Sequence, residues 1–151
     1  MPQCQTCYFG TLNYNETTVL EFPRGLPAFE QERAFIAIEQ PHTRPLIYLQ
    51  SLDTPSLCFV ALPVQFIDPE YQLELSDEDA ETIGLADATA AVIGSSVLCL
   101  ALVSIRETGV TANLMAPMVT SLATRRTVQA ISASGRYSHQ HVLEAAEAVP
   151  A

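Results

Sequence analysis

The feature that most constrains this chain is a two-residue alternation of apolar and polar side chains. It recurs in short runs broken by Pro, Gly, Asp and Asn. In an extended strand, successive side chains point to opposite faces, so such a run lays one face on a core and leaves the other to solvent. "TVLEFP" alternates and stops at Pro23-Arg24-Gly25, and "AFIAIEQ" (34–40) ends at Pro41. "LIYLQSL" and "LCFVALPV" follow, joined through Asp53-Thr54-Pro55-Ser56, whose Asp and Pro suit a turn. That spacing predicts two neighbouring antiparallel strands. "YQLEL" (71–75) alternates again, "VLCLALVSI" (97–105) reads as a central strand, and Glu107-Thr108-Gly109 reads as its turn. Val110–Asn113, Met118–Leu122 and "TVQAISA" (127–133) are further extended runs.

Two segments carry a helical signature instead. Ser76 followed by Asp79 matches a capping pattern, acids at Asp77, Glu78 and Asp79 suit the positive end of a helix dipole, and Gly84 ends the segment. The tail "SHQHVLEAAEAV" sets Val142, Leu143 and Ala146 at helical spacing, with Ser138 as a cap and alanines that favour helix. About eight short strands with one or two short helices predict a mainly β fold: a single compact antiparallel β-barrel, closed or partly open, or a tight sandwich. Residues 1–151 read as one domain, with 1–7 and 144–151 flexible or peripheral.

Charge narrows the function classes. The chain has 7 Lys+Arg against 17 Asp+Glu, and every basic residue is an arginine. No basic residue falls between Pro45 and Ile105. Nucleic-acid affinity needs clustered cations to neutralise phosphates, so direct nucleic-acid binding is not expected. A net charge of −10 suits either plain solubility or the steering of a basic protein partner. "MPQCQTCYFGTL" lacks the charged start and apolar run of a secretory signal, and the apolar run "AAVIGSSVLCLALVSI" is interrupted by Gly94, Ser95 and Ser96. The expectation is a cytoplasmic protein away from the membrane, with Cys4, Cys7, Cys58 and Cys99 as thiols.

Candidate chemistry is sparse. Cys4 and Cys7 with His139 and His141 could supply four zinc ligands if the chain ends met, the basis for an alternative reading as a small zinc-dependent enzyme. Against it, a His-x-His pair diverges on a helix, and the tail reads as helical. No G-x-S-x-G elbow and no phosphate-cradling Gly loop occurs, so neither catalytic residues nor a cofactor are expected. The sharpest local asymmetry is an acidic band, eight acids from Asp68 to Asp87 with no base among them. It reads either as a solvated face or as a docking face for a basic or helical partner.

Together, "FPRGLPAFEQERAF" (22–35), "YLQSLDTPSLCFVALP" (48–63), "TANLMAPMV" (111–119) and "TVQAISASGRYSHQHVL" (127–143) resemble the FliW family of bacterial flagellar assembly factors. The family pattern falls on Phe22, Gly25, Leu26, Pro27, Phe29 and Glu30, then Leu49, Gln50 and Ser51. It continues through Phe59, Pro63, Tyr71, Asn113, Leu114, Ala116, Pro117, Val128 and Gln129. One departure is Ala28, where the pattern has a second glycine, so this backbone position must here suit a Cβ. The resemblance implies a compact antiparallel β-barrel with no catalytic activity. It also implies binding of the translational regulator CsrA, which lifts repression of flagellin messenger RNA, and competing binding of flagellin itself.

On the residues themselves, Gln50-Ser51-Leu52-Asp53 reads as a strand end and its turn. Gln50 would satisfy backbone groups where the ladder breaks, and Asp53 would close an Asx-type turn. Asn113 would do the same before Pro117. The binding face is placed on the acidic band. Ile67 and Tyr71 would act as apolar anchors, and Asp68, Glu70, Asp77, Glu78 and Asp79 as electrostatic guides.

Overall fold

The computed structural model describes residues 2–143. Strands β1 (Gln3–Thr6) and β2 (Gly10–Asn13) form a separate hairpin. Then follow β3 (Leu20–Glu21), β4 (Ala34–Glu39), β5 (Ile47–Ser51) and β6 (Cys58–Pro63). A one-turn helix α1 (Val64–Ile67) and the helix α2 (Asp77–Thr82) precede β7 (Val97–Arg106). The chain continues through β8 (Gly109–Ala112), β9 (Met118–Ser121), β10 (Thr127–Gln129) and β11 (His141–Leu143). The main sheet is antiparallel in the order β10-β9-β7-β6-β5-β4-β3, with β8 and β11 branching from the far half of β7. Its two ends approach at one isolated parallel bridge, Glu21 to Arg126, where the Glu21 N–H donates to Arg125 O at 2.9 Å. The predicted mainly β barrel is therefore present and open along this seam.

The long apolar run at β7 has a packing cause. Val97, Cys99 and Ala101 belong to one buried cluster, with Val64, Tyr71, Ile83, Leu114 and Val119. Leu98, Leu100 and Leu102 face the opposite cluster, with Phe22, Phe35, Leu49, Ala61 and Met118. A strand buried on both faces loses its polar positions, which is why β7 reads as continuous hydrophobe.

Two expectations change. Tyr71–Leu75 is extended but pairs with no strand. Its alternation is real, since Tyr71, Leu73 and Leu75 pack on the first cluster, yet its polar contacts go elsewhere. The Gln72 N–H donates to the Tyr137 hydroxyl at 2.8 Å, and the Tyr71 hydroxyl donates to Leu114 O at 2.5 Å. Period two reports a half-buried extended chain, not the presence of a neighbour. Second, the predicted helical tail is a strand over His141–Leu143, paired with β8; Ala146 and the rest of 144–151 lie outside the described residues. A short isolated helix is marginal, and the unpaired edge of β8 offers hydrogen bonds instead. Of residues 1–7, expected to be flexible or peripheral, Gln3–Thr6 form β1 of the hairpin outside the main sheet, with Cys4 buried and its thiol toward Ser51 O at 3.8 Å. The chain also makes a turn of helix at α1 that alternation did not signal.

Candidate functional site

The segment Gln50–Thr54 folds into a polar hub. Gln50 is fully buried at the end of β5, and its amide Nε2 donates to Ser51 O (3.0 Å), Thr54 O (3.4 Å) and Pro55 O (3.2 Å). Thr54 O also accepts from Leu57 N (3.0 Å) and Pro55 O from Cys7 N (2.9 Å), so Gln50 braces carbonyls of the turn as expected without being their sole partner. The turn itself is closed by Ser51 rather than Asp53. Ser51 Oγ accepts the N–H groups of Asp53 (3.1 Å) and Thr54 (2.9 Å) and donates to Glu32 Oε1 at 2.6 Å. Thr54 Oγ1 donates to the other Glu32 oxygen at 2.9 Å. Asp53 points to solvent, because the buried hydroxyl two residues earlier already occupies the turn's donors. Glu32, which sequence reasoning passed over, is thus a buried carboxylate held by two hydroxyls across 19 and 22 residues of chain. At the other corner Asn113 Oδ1 accepts from Ala116 N at 3.0 Å, as expected.

The Gly25-Leu26-Pro27-Phe29 motif is a tight reversal in which Leu26 and Phe29 bridge each other's backbone. Gly25 has φ +64°, and a Cβ there would lie 2.4 Å from Glu30 O. Ala28 holds φ +70°, so its position has kept the left-handed conformation in spite of its Cβ, contrary to the expectation that the backbone here suits one. The reversal is locked by its neighbours: Arg33 Nε donates to Glu30 O (2.9 Å) and Nη1 to Pro23 O (2.7 Å).

The acidic band is divided by the fold. Ser76 caps α2 by accepting from Asp79 N at 3.0 Å, which places Asp77, Glu78 and Asp79 in the first turn. Asp77 and Glu78 are exposed, Glu78 with a looser ion pair to Arg24 Nη1 at 3.8 Å, while Asp79 is the firm partner of Arg24, whose Nη2 donates to Asp79 Oδ1 at 2.7 Å and to Thr82 Oγ1 at 2.8 Å. Arg24 comes from the reversal, so the band without a base in sequence acquires one in space. Asp68 Oδ1 accepts from Glu70 N at 2.9 Å in an exposed local turn, while Asp87 accepts from Thr89 N at 2.9 Å. The Thr89 hydroxyl, first, and its backbone hold the Asp87 carboxyl below its ordinary range. Glu70 is exposed and Ile67 half-buried against the first cluster. Tyr71 is a core side chain stacked on Tyr137 with ring centroids 4.3 Å apart. Burial pushes its hydroxyl far above the ordinary tyrosine range, and at 9% exposure little of the side chain is left to anchor a partner. The α1 residues rest on β6 and β7, whereas α2 rests on β10.

Among the surface recesses, three bear on the site. One of about 650 Å³, under the N-terminal hairpin, is lined by Tyr8, Phe9, His42, Tyr48 and Cys58. The others, about 370 and 630 Å³, flank Ile131 beside the acidic helix. Cys4 lies in the core, Cys7 and His139 are exposed, and His141 begins β11; among the described residues no three His, Cys, Asp or Glu side chains converge as a metal site would require. All four cysteines are free thiols. Among the described residues no helix is long and apolar enough to cross a membrane.

These features define a class: a small antiparallel barrel, open at one seam, with a buried polar hub and an acidic helix on its flank. The sequence profile of the family described as FliW protein matches residues 3–143. The flagellar assembly factor FliW of Treponema pallidum is 31% identical over 149 residues, 96% of this chain and 95% of that protein. That of Syntrophomonas wolfei is 32% identical over 133 residues, 87% and 82% of the two chains. A crystal structure of the flagellar assembly factor FliW superposes with a TM-score of 0.80 at 28% identity, covering 95% of this chain and 97% of that one. The chain belongs to the FliW family.

Proposed function

We propose that this chain is a non-enzymatic cytoplasmic binding protein that couples flagellin synthesis to flagellum assembly by partner switching. It binds CsrA and so relieves repression of flagellin translation, and flagellin competes for it. The observation that carries this reading is membership of a family whose relatives are flagellar assembly factors, on a chain of net charge −10. An acidic antagonist meets a basic RNA-binding regulator with complementary potential, which raises the association rate more than the affinity. Of the five acids named as guides, Glu70, Asp77 and Glu78 are exposed, and these guide the encounter. Asp79 serves the fold through Arg24 and is a poorer choice for mutagenesis.

The test is calorimetric titration of the purified protein with purified CsrA and flagellin, separately and in competition. Submicromolar CsrA binding that flagellin displaces is expected. Flagellin binding alone would replace the reading with that of a dedicated flagellin chaperone, and silence from both active partners would refute it. Asp77→Lys with Glu78→Lys should slow association at low salt and flatten its salt dependence. An unchanged on-rate would move docking away from α2.

A further inference from the structure

After β10 the chain runs on in an extended form, held by Ala130 N to Pro117 O (2.9 Å) and Ser132 N to Met115 O (2.8 Å). Alternation then turns Ala130 and Ser132 inward and Ile131 outward, where it stays 64% exposed. Its β-branched side chain suits an extended segment, and what sets it apart from the other exposed apolar residues, Ile105 and Val142 among them, is its place between two recesses. Ile131 is the shared wall of two cavities. On one side lie Leu26, Pro27 and Val128 with the carboxylate of Glu30. On the other lie Leu73, Leu75, Ala88 and Ala91 with the carboxylate of Glu74. Arg24 borders the first cavity and is paired with Asp79, Glu78 and Thr82, while Arg136, bonded to Gln72, lies near Glu74, whose carboxylate Ser134 and Ser132 also hold. Each apolar recess carries one acid at its edge, and the exposed Asp77 and Glu78 of α2 follow directly on the Leu75 segment, so acids outnumber arginines around the pair of recesses.

We propose that this double recess is the apolar half of a docking face. It takes a partner segment that straddles Ile131 with two apolar side chains, each followed by a lysine or arginine. The occupant's chemistry follows from charge complementarity: Glu30 and Glu74 repel an acidic segment and pair with a basic one, while the recesses reward aliphatic side chains. This deepens the binding reading above by giving the acidic flank its hydrophobic centre, the part of an interface that carries most of the affinity.

The groove is tested apart from the named partners by mapping amide shifts of the full chain on titration with a synthetic peptide carrying two leucines flanked by arginines. Shifts confined to the neighbourhood of Leu26 and Val128 on one side of Ile131 and of Leu73, Leu75 and Ala88 on the other are expected, and a glutamate-flanked version should give none. No shifts at millimolar peptide, shifts centred elsewhere (under the N-terminal hairpin, for instance), or equal response to both peptides would overturn the proposal. In parallel, Ile131→Arg should weaken CsrA or flagellin binding at least tenfold, a hot-spot-sized loss, whereas Ile105→Arg on the β7–β8 turn should change it less than twofold. Both positions are exposed, so both variants should melt like the parent. Binding of either protein that survives Ile131→Arg within twofold would also overturn it. Peptide binding at the groove with no binding of either protein would uphold the groove and refute the partner reading.

Discussion

Removing one hydroxyl should cost this barrel more than any change in the neighbouring acid. Ser51→Ala deletes the donor to Glu32 Oε1 at 2.6 Å and the acceptor for the N–H groups of Asp53 and Thr54. A hydrogen bond to a charged group contributes about 1.5–3 kcal/mol, and Glu32 is too buried for water to replace it fully. The two turn N–H groups are only partly buried and lose about 1 kcal/mol between them. The expected loss is about 3 kcal/mol, which for a chain of this size lowers Tm by roughly 6–12 °C. Urea unfolding followed by circular dichroism should show a lower midpoint at unchanged slope. Combining Ser51→Ala with Glu32→Ala should give a coupling of about 1–2 kcal/mol, because each substitution removes the other's partner. Asp53→Ala, at an exposed side chain, should stay within about 0.5 kcal/mol of the parent. If Asp53→Ala costs as much as Ser51→Ala, or if the double substitution is simply additive, the hub does not work through Ser51 and Glu32.

The backbone of the Gly25–Phe29 reversal gives an opposed pair: Gly25→Ala should destabilise by about 3 kcal/mol or more, since its Cβ would meet Glu30 O at 2.4 Å, while Ala28→Gly should stabilise by up to about 1 kcal/mol by relieving a left-handed alanine. Equal melting temperatures for the two variants would refute that assignment. Burial pushes the Cys99 thiol up to about 12, so the folded state keeps its proton where an unfolded thiol loses it. That stability is fully present below about pH 8.5 and is lost as pH rises toward the folded value. Urea midpoints at pH 7.5 and 10 should fall less for Cys99→Ala than for the parent, and an identical fall would remove Cys99 from the account. Under native conditions an aromatic disulfide reagent should label Cys7 rapidly, and Cys4 and Cys99 only on unfolding. Fast labelling of Cys99 in the folded protein would contradict its place in the core.

Local chemistry was legible in the sequence. Alternation located β4 to β6, turn residues located their corners, and Ser76 with Asp79 located α2, because each depends on neighbours a few residues apart. Gln50 and Asn113 were readable for the same reason: their partners lie at most five residues away. What only the tertiary structure decided involves groups distant in the chain. Period two could not say that Tyr71–Leu75 lacks a strand partner, or that the tail at His141–Leu143 would give up helical spacing for the free edge of β8. The acid Asp79 met Arg24 across 55 residues, and Glu32 met Ser51 across 19. Ile131 became the wall of two recesses only when β10 brought it between the reversal and the Leu75 segment. Composition and spacing determined which segments must bury a face. The choice of partner for each face depended on packing one domain's apolar surface into two clusters on either side of β7, a constraint shared by the whole chain and carried by no single stretch of it.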